Sequence, residues 1–372
     1  MFRQKIIYVF LGIVVLSLSL TDKNVEATSN PNFQFHSEVA LLIDQKSGEI
    51  LYDQLAEQRM YPASITKIIT GIIAIEQGNL EDIVKVSKEA TEVIGTRVYL
   101  LEDEEVTLEK LVQGLLINSG NDAGTAIAEH MDGSEEAFAK RMNDFVQEEI
   151  GVENTNFTNP HGLFDEDHYT TALDMARITQ YAMKNETFQE IVSTKDMEWI
   201  GEGWETTLYN HHRLLWDYEG TTGVKNGFVS QSGYTLVTSA ERDDQEFIAV
   251  TLKSANARTA YQDTIQLLNY GFEHFETGKV PENKQFFSDD GEEYIVQEDV
   301  YFTQMLDEQI EYELTPANKL AIVGDNDRTI KKVALEQIEV EPILTKAELE
   351  EKEAEQGLFT RFWDWVSQLF SK

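Results

Sequence analysis

The sequence has 372 residues, which is long enough for two domains with a sizeable hydrophobic core. It contains no cysteine, and this excludes a disulfide framework and a cysteine-ligated metal site. The formal net charge of −37 argues against nucleic acid as a partner, because a phosphate backbone is bound by basic surface.

The first 27 residues have the pattern of a secretory signal peptide. Arg3 and Lys5 precede an apolar run over residues 6–20, and Val25-Glu-Ala27 offers a small-residue cleavage site. The run is short for a membrane-spanning helix, which needs about 20 residues, and an uncleaved anchor is the alternative. Both interpretations predict that the rest of the chain is exported.

A β-hairpin and then a buried helix are predicted next. Apolar runs at residues 39–43 and 49–52 flank Asp44-Gln-Lys-Ser-Gly48, which is typical of a hairpin. Pro62 can set the turn that enters a helix, and Gly78 is a plausible stop. The apolar residues at helical spacing between them are Ile65, Ile68, Ile69, Ile72 and Ile73.

Ser64 and Lys67 lie one turn apart on this predicted helix and share a face. A serine hydroxyl is a weak nucleophile that an adjacent amine can activate. The amine must be neutral, so burial or a cationic neighbour has to lower its pKa. The alternative is an ordinary amphipathic helix with a serine and a lysine on its surface.

Further helices are predicted at residues 108–117, 122–131, 134–150, 171–184 and 261–272, and strands at 233–240 and 247–252. This order favours an α+β fold with helices packed on an antiparallel sheet built from both chain ends. Two polar phrases interrupt it. Ser119-Gly-Asn121 separates two apolar helices, and Gly223-Val-Lys225-Asn226-Gly227 leads into the predicted strand at 233–240.

The chain after these elements divides into a small β-rich domain and a tail. Residues 278–345 have short alternating runs separated by turns, whereas residues 28–277 form the predicted catalytic domain. Residues 346–372 combine a charged connector with an amphipathic helix over 357–372, whose apolar side carries five aromatic residues. Such a helix suits a membrane interface, and docking on the β-rich domain is the alternative.

The Ser64 and Lys67 pair and the two polar phrases together resemble the motifs of the low-molecular-mass penicillin-binding proteins, the serine D-Ala-D-Ala carboxypeptidases. They occur in the family's order as Ser64-x-x-Lys67, Ser119-Gly-Asn121 and Lys225-Asn-Gly227. Supporting phrases are Pro62-Ala-Ser-Ile-Thr-Lys67, Leu116-Ile-Asn-Ser-Gly-Asn-Asp-Ala123, Asn159-Pro-His-Gly-Leu163 and Leu267-Leu-Asn-Tyr-Gly-Phe272. The resemblance covers residues 38–272 and implies a DD-peptidase-like catalytic domain followed by a β-rich domain.

The resemblance also implies the role of each site residue. Ser64 is the nucleophile, Lys67 its base and Ser119 a proton relay to the leaving amine. Substrate binding falls to Asn121, Lys225, Asn226, Gly227 and Phe228, with the oxyanion held by the N–H groups of Ser64 and Phe228. The implied substrate is a peptidoglycan stem peptide ending in D-Ala-D-Ala, and β-lactams are the implied inhibitors. No cofactor and no metal are expected.

Two departures concern the substrate carboxylate. The family usually has Lys-Thr-Gly where this chain has Lys225-Asn226-Gly227, and the amide of Asn226 is longer and differently aimed than a threonine hydroxyl. The family's carboxylate-binding arginine is replaced by Ala260. Arg258, two residues earlier, either binds the carboxylate or is a surface residue.

Other functions remain open from the sequence. A DD-endopeptidase and a weakly active or non-catalytic peptidoglycan-binding or penicillin-binding module are the alternatives, whereas a β-lactamase does not suit the two-domain layout. His211 and His212 lack a nearby ligand pattern and are interpreted as loop residues, and His161 as part of a loop near the cleft. The expected location is the outer face of the bacterial cytoplasmic membrane, with the C-terminal helix on the membrane surface.

Overall fold

The computed structural model describes residues 33–338, which form nine helices and seventeen strands. The predicted signal peptide and the predicted connector and amphipathic helix lie outside the described residues. The strands are β1 (Val39–Asp44), β2 (Ile50–Gln54), β3 (Ile83–Lys85), β4 (Glu105–Thr107), β5 (Asp196–Ile200), β6 (Glu205–Tyr209), β7 (Thr221–Val229), β8 (Gly233–Arg242), β9 (Gln245–Ser254), β10 (Phe275–Val280), β11 (Gln285–Phe287), β12 (Glu293–Ile295), β13 (Val300–Met305), β14 (Glu311–Leu314), β15 (Lys319–Gly324), β16 (Arg328–Ala334) and β17 (Glu336–Ile338). The helices are α1 (Lys67–Gln77), α2 (Lys88–Glu92), α3 (Leu108–Ile117), α4 (Asn121–Asp132), α5 (Glu135–Phe145), α6 (Ala172–Ala182), α7 (Glu186–Ser193), α8 (Leu214–Asp217) and α9 (Ala257–His274).

A five-stranded antiparallel sheet with the order β2-β1-β9-β8-β7 organises the catalytic region. Strand β1 pairs with β9 from Val39 opposite Leu252 to Asp44 opposite Phe247, so both ends of this region meet in the sheet centre. Every residue of β1 is buried, because helices cover both faces of the sheet. Leu41 belongs to the large helical core, whereas Leu42 points at α9 beside Gly271. The predicted α+β fold is confirmed.

The helices that carry the site form one core on the α1 side of the sheet. The five predicted isoleucines of the Ser64 segment are all buried in it, and α1 packs against α3, α4, α5 and α6. Helix α3 has the bounds that the sequence predicts, and its first turn is capped by the hydroxyl of Thr107, which accepts the Lys110 N–H. This packing fixes α1 and the start of α4 side by side.

The β-rich region after α9 contains three small sheets, with the orders β10-β13, β11-β12-β17 and β14-β15-β16. Its core consists of buried aliphatic and aromatic residues: Val280, Val296, Val300, Phe302, Leu320 and Ile322. The carboxylate of Asp44, at the end of β1, accepts hydrogen bonds from the hydroxyls of Thr277 (2.6 Å) and Thr303 (2.8 Å). This buried contact ties the catalytic sheet to the β-rich region.

Three details differ from the sequence analysis. The phrase Lys225-Asn-Gly227 does not precede a strand but lies inside β7, because this stretch pairs with β8 along its length. The predicted helix over residues 134–150 ends at Phe145 and continues as a π-helical turn over Val146–Ile150. Ser64 lies in a 3-10 turn over Ala63–Thr66 that precedes α1. Between residues 33 and 338 no helix is long and apolar enough to cross a membrane.

Candidate active site

The turn that carries Ser64 is strained and is held from two sides. Ala63 has a φ of +52°, a left-handed conformation that few non-glycine residues adopt. The hydroxyl of Thr235 on β8 donates to the Pro62 carbonyl (2.8 Å). On the other side, Gly162 lies so close that a Cβ there would be 1.9 Å from the Ala63 carbonyl oxygen. Tertiary contacts therefore impose the backbone conformation that presents Ser64.

Strand β7 runs directly beside the start of this turn. A Cβ on Gly227 would lie 2.7 Å from the Ser64 backbone nitrogen and 2.6 Å from the Thr235 hydroxyl, so only glycine fits. The close approach brings the Ser64 N–H next to the strand that carries Phe228, whose ring is exposed. These are the two residues whose N–H groups the sequence analysis assigns to an oxyanion site.

Lys67 is fully buried and its amine has three oxygen neighbours. Nζ lies 3.0 Å from Ser64 Oγ, 2.7 Å from Asn121 Oδ1 and 2.6 Å from the His161 carbonyl oxygen. Burial and the nearby charge of Lys225 hold its pKa well below the usual 10.5, although Asp122 opposes them. A neutral amine can donate two N–H bonds to Asn121 and His161, which leaves its lone pair for the Ser64 hydroxyl proton.

The start of α4 positions Asn121 and Asp122. The Asn121 side chain donates to the Ile94 carbonyl (2.7 Å), and its amide oxygen accepts from Lys67. Asp122 is completely buried, and its carboxylate accepts the N–H groups of Val98 (3.0 Å) and Leu100 (3.2 Å). Burial raises the pKa of Asp122, and these backbone bonds oppose the change. Together the two residues fix the loop between α2 and β4 against the site.

Ser119 lies two residues before the start of α4 and is in a left-handed conformation, with a φ of +64°. It is almost completely buried. Within residues 33–338 its hydroxyl makes no hydrogen bond to Lys67 or Lys225. The structure thus places Ser119 beside Asn121 in the chain, and its role as a proton relay stays a prediction.

Lys225 points inward from β7 and is also buried, with Nζ 3.0 Å from the Asn226 carbonyl oxygen and 3.3 Å from Asn226 Oδ1. Burial lowers the pKa of Lys225 to about 7. The side chain of Asn226 thus turns its oxygen toward Lys225, which leaves its NH₂ group as a donor for an anion. Lys225 and Lys67 are close enough that the charge of one lowers the pKa of the other.

Arg258 and Ala260 lie in the first turn of α9. Ala260 is buried, whereas Arg258 is exposed and forms no ion pair within the described part of the chain. No contact of Arg258 within the described residues supports carboxylate binding, and this role stays a prediction.

The histidines have structural partners. His212 is buried, with Nε2 2.9 Å from the Thr238 hydroxyl, and burial lowers its pKa to about 3. His161, predicted as a loop residue near the cleft, supplies the carbonyl that contacts Lys67. Among residues 33–338, no group of three or more His, Cys, Asp or Glu is arranged to hold a metal ion.

The site has a buried lysine with a lowered pKa against a serine hydroxyl, a second buried lysine, and a strand that approaches the serine N–H at a glycine. These features define a serine acyl-transfer site. The chain belongs to the D-alanyl-D-alanine carboxypeptidase family, whose sequence profile matches residues 24–256. The resemblance that the three motifs indicate is thereby confirmed.

Particular relatives agree with this family. D-alanyl-D-alanine carboxypeptidase DacF of Bacillus subtilis is 34% identical over 64% of this chain, and the match covers 62% of that protein. D-alanyl-D-alanine carboxypeptidase DacA of Haemophilus influenzae is 29% identical over 96% of this chain and 94% of its own length. The crystal structure of penicillin-binding protein 5 from H. influenzae superimposes with a TM-score of 0.73 at 30% identity, covering 82% of this chain and 97% of that one.

Proposed function

We propose that this chain is a serine D-alanyl-D-alanine carboxypeptidase that removes the terminal D-alanine from peptidoglycan stem peptides. The observation that carries the proposal is the buried Lys67 amine, 3.0 Å from Ser64 Oγ, whose pKa is held well below its usual value by burial and by the charge of Lys225. Family membership and the relatives' names support the substrate.

In the first step Lys67 takes the Ser64 proton as Oγ attacks the carbonyl carbon between the two D-alanines. The developing oxyanion accepts hydrogen bonds from the backbone N–H groups of Ser64 and Phe228. The proton passes to the leaving amine, with Ser119 as the relay, and D-alanine departs. Water then attacks the ester carbonyl: its oxygen forms the new carboxyl group of the shortened peptide, and one of its protons passes to Ser64 Oγ as the C–Oγ bond breaks.

Substrate orientation falls to the groups around this centre. Asn121 holds Lys67 and the peptide backbone, and Lys225 attracts the terminal carboxylate together with the NH₂ group of Asn226. A β-lactam enters by the same acylation step. Its amine stays attached after ring opening and the ester hydrolyses slowly, so the drug inhibits the enzyme.

The test is acylation by a fluorescent penicillin, with mass spectrometry of a D-Ala-D-Ala peptide as the second readout. Ser64→Ala should lose all labelling, and Lys67→Ala should acylate at least about 10²-fold more slowly. Labelling of Ser64→Ala at another serine would refute the assignment. Release of free D-alanine separates a carboxypeptidase from an endopeptidase, which releases a peptide, and labelling without any release would indicate a penicillin-binding module.

The proposed location is the outer face of the cytoplasmic membrane, with residues 357–372 as an interfacial helix. Eight apolar side chains share one side of that predicted helix, and cations are few, so apolar burial should dominate its membrane binding. Signal-cleaved protein should bind liposomes, resist high salt and detach in detergent. Deletion of 357–372 should abolish binding without loss of soluble activity. A full-length mature protein that stays free of liposomes would contradict the proposal.

A further inference from the structure

The carbonyl oxygen of His161 makes the shortest of the three contacts to the Lys67 amine, at 2.6 Å. A backbone carbonyl can hold an amine only if its own loop is fixed. The loop is fixed on one side by Thr70 of α1, whose hydroxyl donates to the Pro160 carbonyl (2.6 Å). It is tightened internally by Asn159, whose side-chain oxygen accepts the Gly162 N–H (2.7 Å). The same Asn159 oxygen also accepts the N–H of His161, at the longer distance of 3.4 Å.

The buried imidazole of His161 provides the remaining anchor. Its Nδ1 accepts the N–H of Leu163 (3.3 Å), so the proton of the neutral ring is on Nε2. Nε2 lies 3.3 Å from Oε1 of Glu135, the first residue of α5. The same oxygen accepts the hydroxyl of Thr125 on α4 (2.5 Å). Glu135 therefore joins two helices to the ring behind the Lys67 contact.

The charges of this pair match the geometry. Burial lowers the pKa of His161 and the neighbouring Glu135 opposes that change, so the ring is neutral at pH 7. Burial raises the pKa of Glu135, but His161 and the hydroxyl of Thr125 lower it by more. The net effect is a pKa below the usual value. Glu135 is thus a carboxylate that accepts both bonds.

We infer that Glu135 is a positioning residue for the acylation step, acting through His161 on Lys67. This rests on the proposed role of Lys67 as the base. The lone pair of Lys67 points at Ser64 only while both of its N–H groups are held, one by Asn121 and one by the His161 carbonyl. When the ring is released, the carbonyl can shift and the amine can rotate, and misplacement by about 1 Å costs up to about 100-fold in rate.

The experiment compares three variants of the full chain. Glu135→Ala removes the acceptor, Glu135→Gln keeps a side-chain oxygen at the same reach, and Glu136→Ala is the control, because Glu136 is exposed on the same turn of α5. The rate constant for penicillin acylation is measured with kcat and KM for a D-Ala-D-Ala peptide and the thermal midpoint. We expect Glu135→Ala to acylate about 10- to 100-fold more slowly through kcat, with KM unchanged. Glu135→Gln should recover most of the rate, and Glu136→Ala should match the parent protein.

A parent-like acylation rate in Glu135→Ala overturns the inference, provided that Lys67→Ala is inactive in the same assay. Normal acylation by Lys67→Ala would instead overturn the proposed function, so the two failures are distinguishable. Equal loss in Glu135→Ala and Glu135→Gln would also overturn the positioning role. If Glu135→Ala does not fold, Glu135→Asp replaces it, because aspartate keeps the charge but withdraws the oxygen by one methylene. Glu135→Asp must then acylate more slowly than Glu135→Gln, and a parent-like acylation rate in Glu135→Asp refutes the inference.

Discussion

Replacement of Lys225 by methionine should stabilise the fold while it removes the cation from the carboxylate site. Lys225 is buried, and its pKa falls from the usual 10.5 to about 7 in the native state. Between these values the unfolded chain binds more protons than the native protein, so stability rises with pH across this window. At pH 7 the desolvated amine costs the native state about 4 kcal/mol, and at pH 10 the cost falls to about 1 kcal/mol.

Methionine has a similar length and no charge, so it escapes this cost at every pH. It also loses the contact of Nζ with the Asn226 carbonyl at 3.0 Å, which contributes about 1 to 2 kcal/mol. The expected gain in unfolding free energy is therefore about 2 kcal/mol at pH 7, and at pH 10 it vanishes or reverses its sign. Activity on a D-Ala-D-Ala peptide should be lost at both values.

Urea unfolding followed by circular dichroism measures the unfolding free energies of the parent and of Lys225→Met at pH 7 and at pH 10. Lys319→Met is the matched control, because Lys319 is exposed and its substitution should give the same difference at the two pH values. A Lys225→Met protein that is no more stable than the parent at pH 7 would refute the reasoning. So would a gain that does not shrink toward pH 10, since the cost would then not come from a titrating amine.

Two further substitutions test other parts of the site. Gly162→Ala should lower the unfolding free energy by about 3 kcal/mol or more and abolish penicillin labelling, because its Cβ would meet the Ala63 carbonyl oxygen at 1.9 Å. Gly133 is also left-handed but has open space around it, so Gly133→Ala is the control and should lower the unfolding free energy by about 1 kcal/mol. Equal costs would mean that the backbone conformation alone matters. Asn226→Thr should raise kcat/KM for a D-Ala-D-Ala peptide about fivefold if the threonine hydroxyl binds the substrate carboxylate about 1 kcal/mol more strongly than the Asn226 amide does. A decrease would show that the site is built around the amide.

The sequence predicts those parts of the site that depend on periodicity and side-chain chemistry. The isoleucine spacing around Ser64 and Lys67 places both on one buried segment, and α3 follows from its apolar pattern. The contribution of His161 could not be predicted in this way, because a backbone carbonyl has no side-chain signature. The left-handed Ala63 likewise results from contacts with Gly162, about a hundred residues away in the chain.

Short elements were missed for a related reason. Strands β3 to β6 have three to five residues each and are mostly exposed, so they show little hydrophobic alternation. The sequence does not predict the strand that carries Lys225, because buried Lys225 and Gly227 interrupt its apolar run. The role of Asp122 is also beyond sequence reasoning, because it fixes the loop at Val98 and Leu100 through backbone bonds that no sequence pattern specifies.

One support of the Ser64 turn, Thr235, comes from the other end of the catalytic region, and this affects the order of folding. Pro62 is synthesised 173 residues before Thr235, the residue that holds its carbonyl. Long loops must close before such contacts form, and this makes them late events in folding. We therefore expect the nucleophile to be the first catalytic residue to be synthesised and the last to acquire its geometry. A chain that stops before β7 contains Ser64 and Lys67 but should not react with an acyl donor.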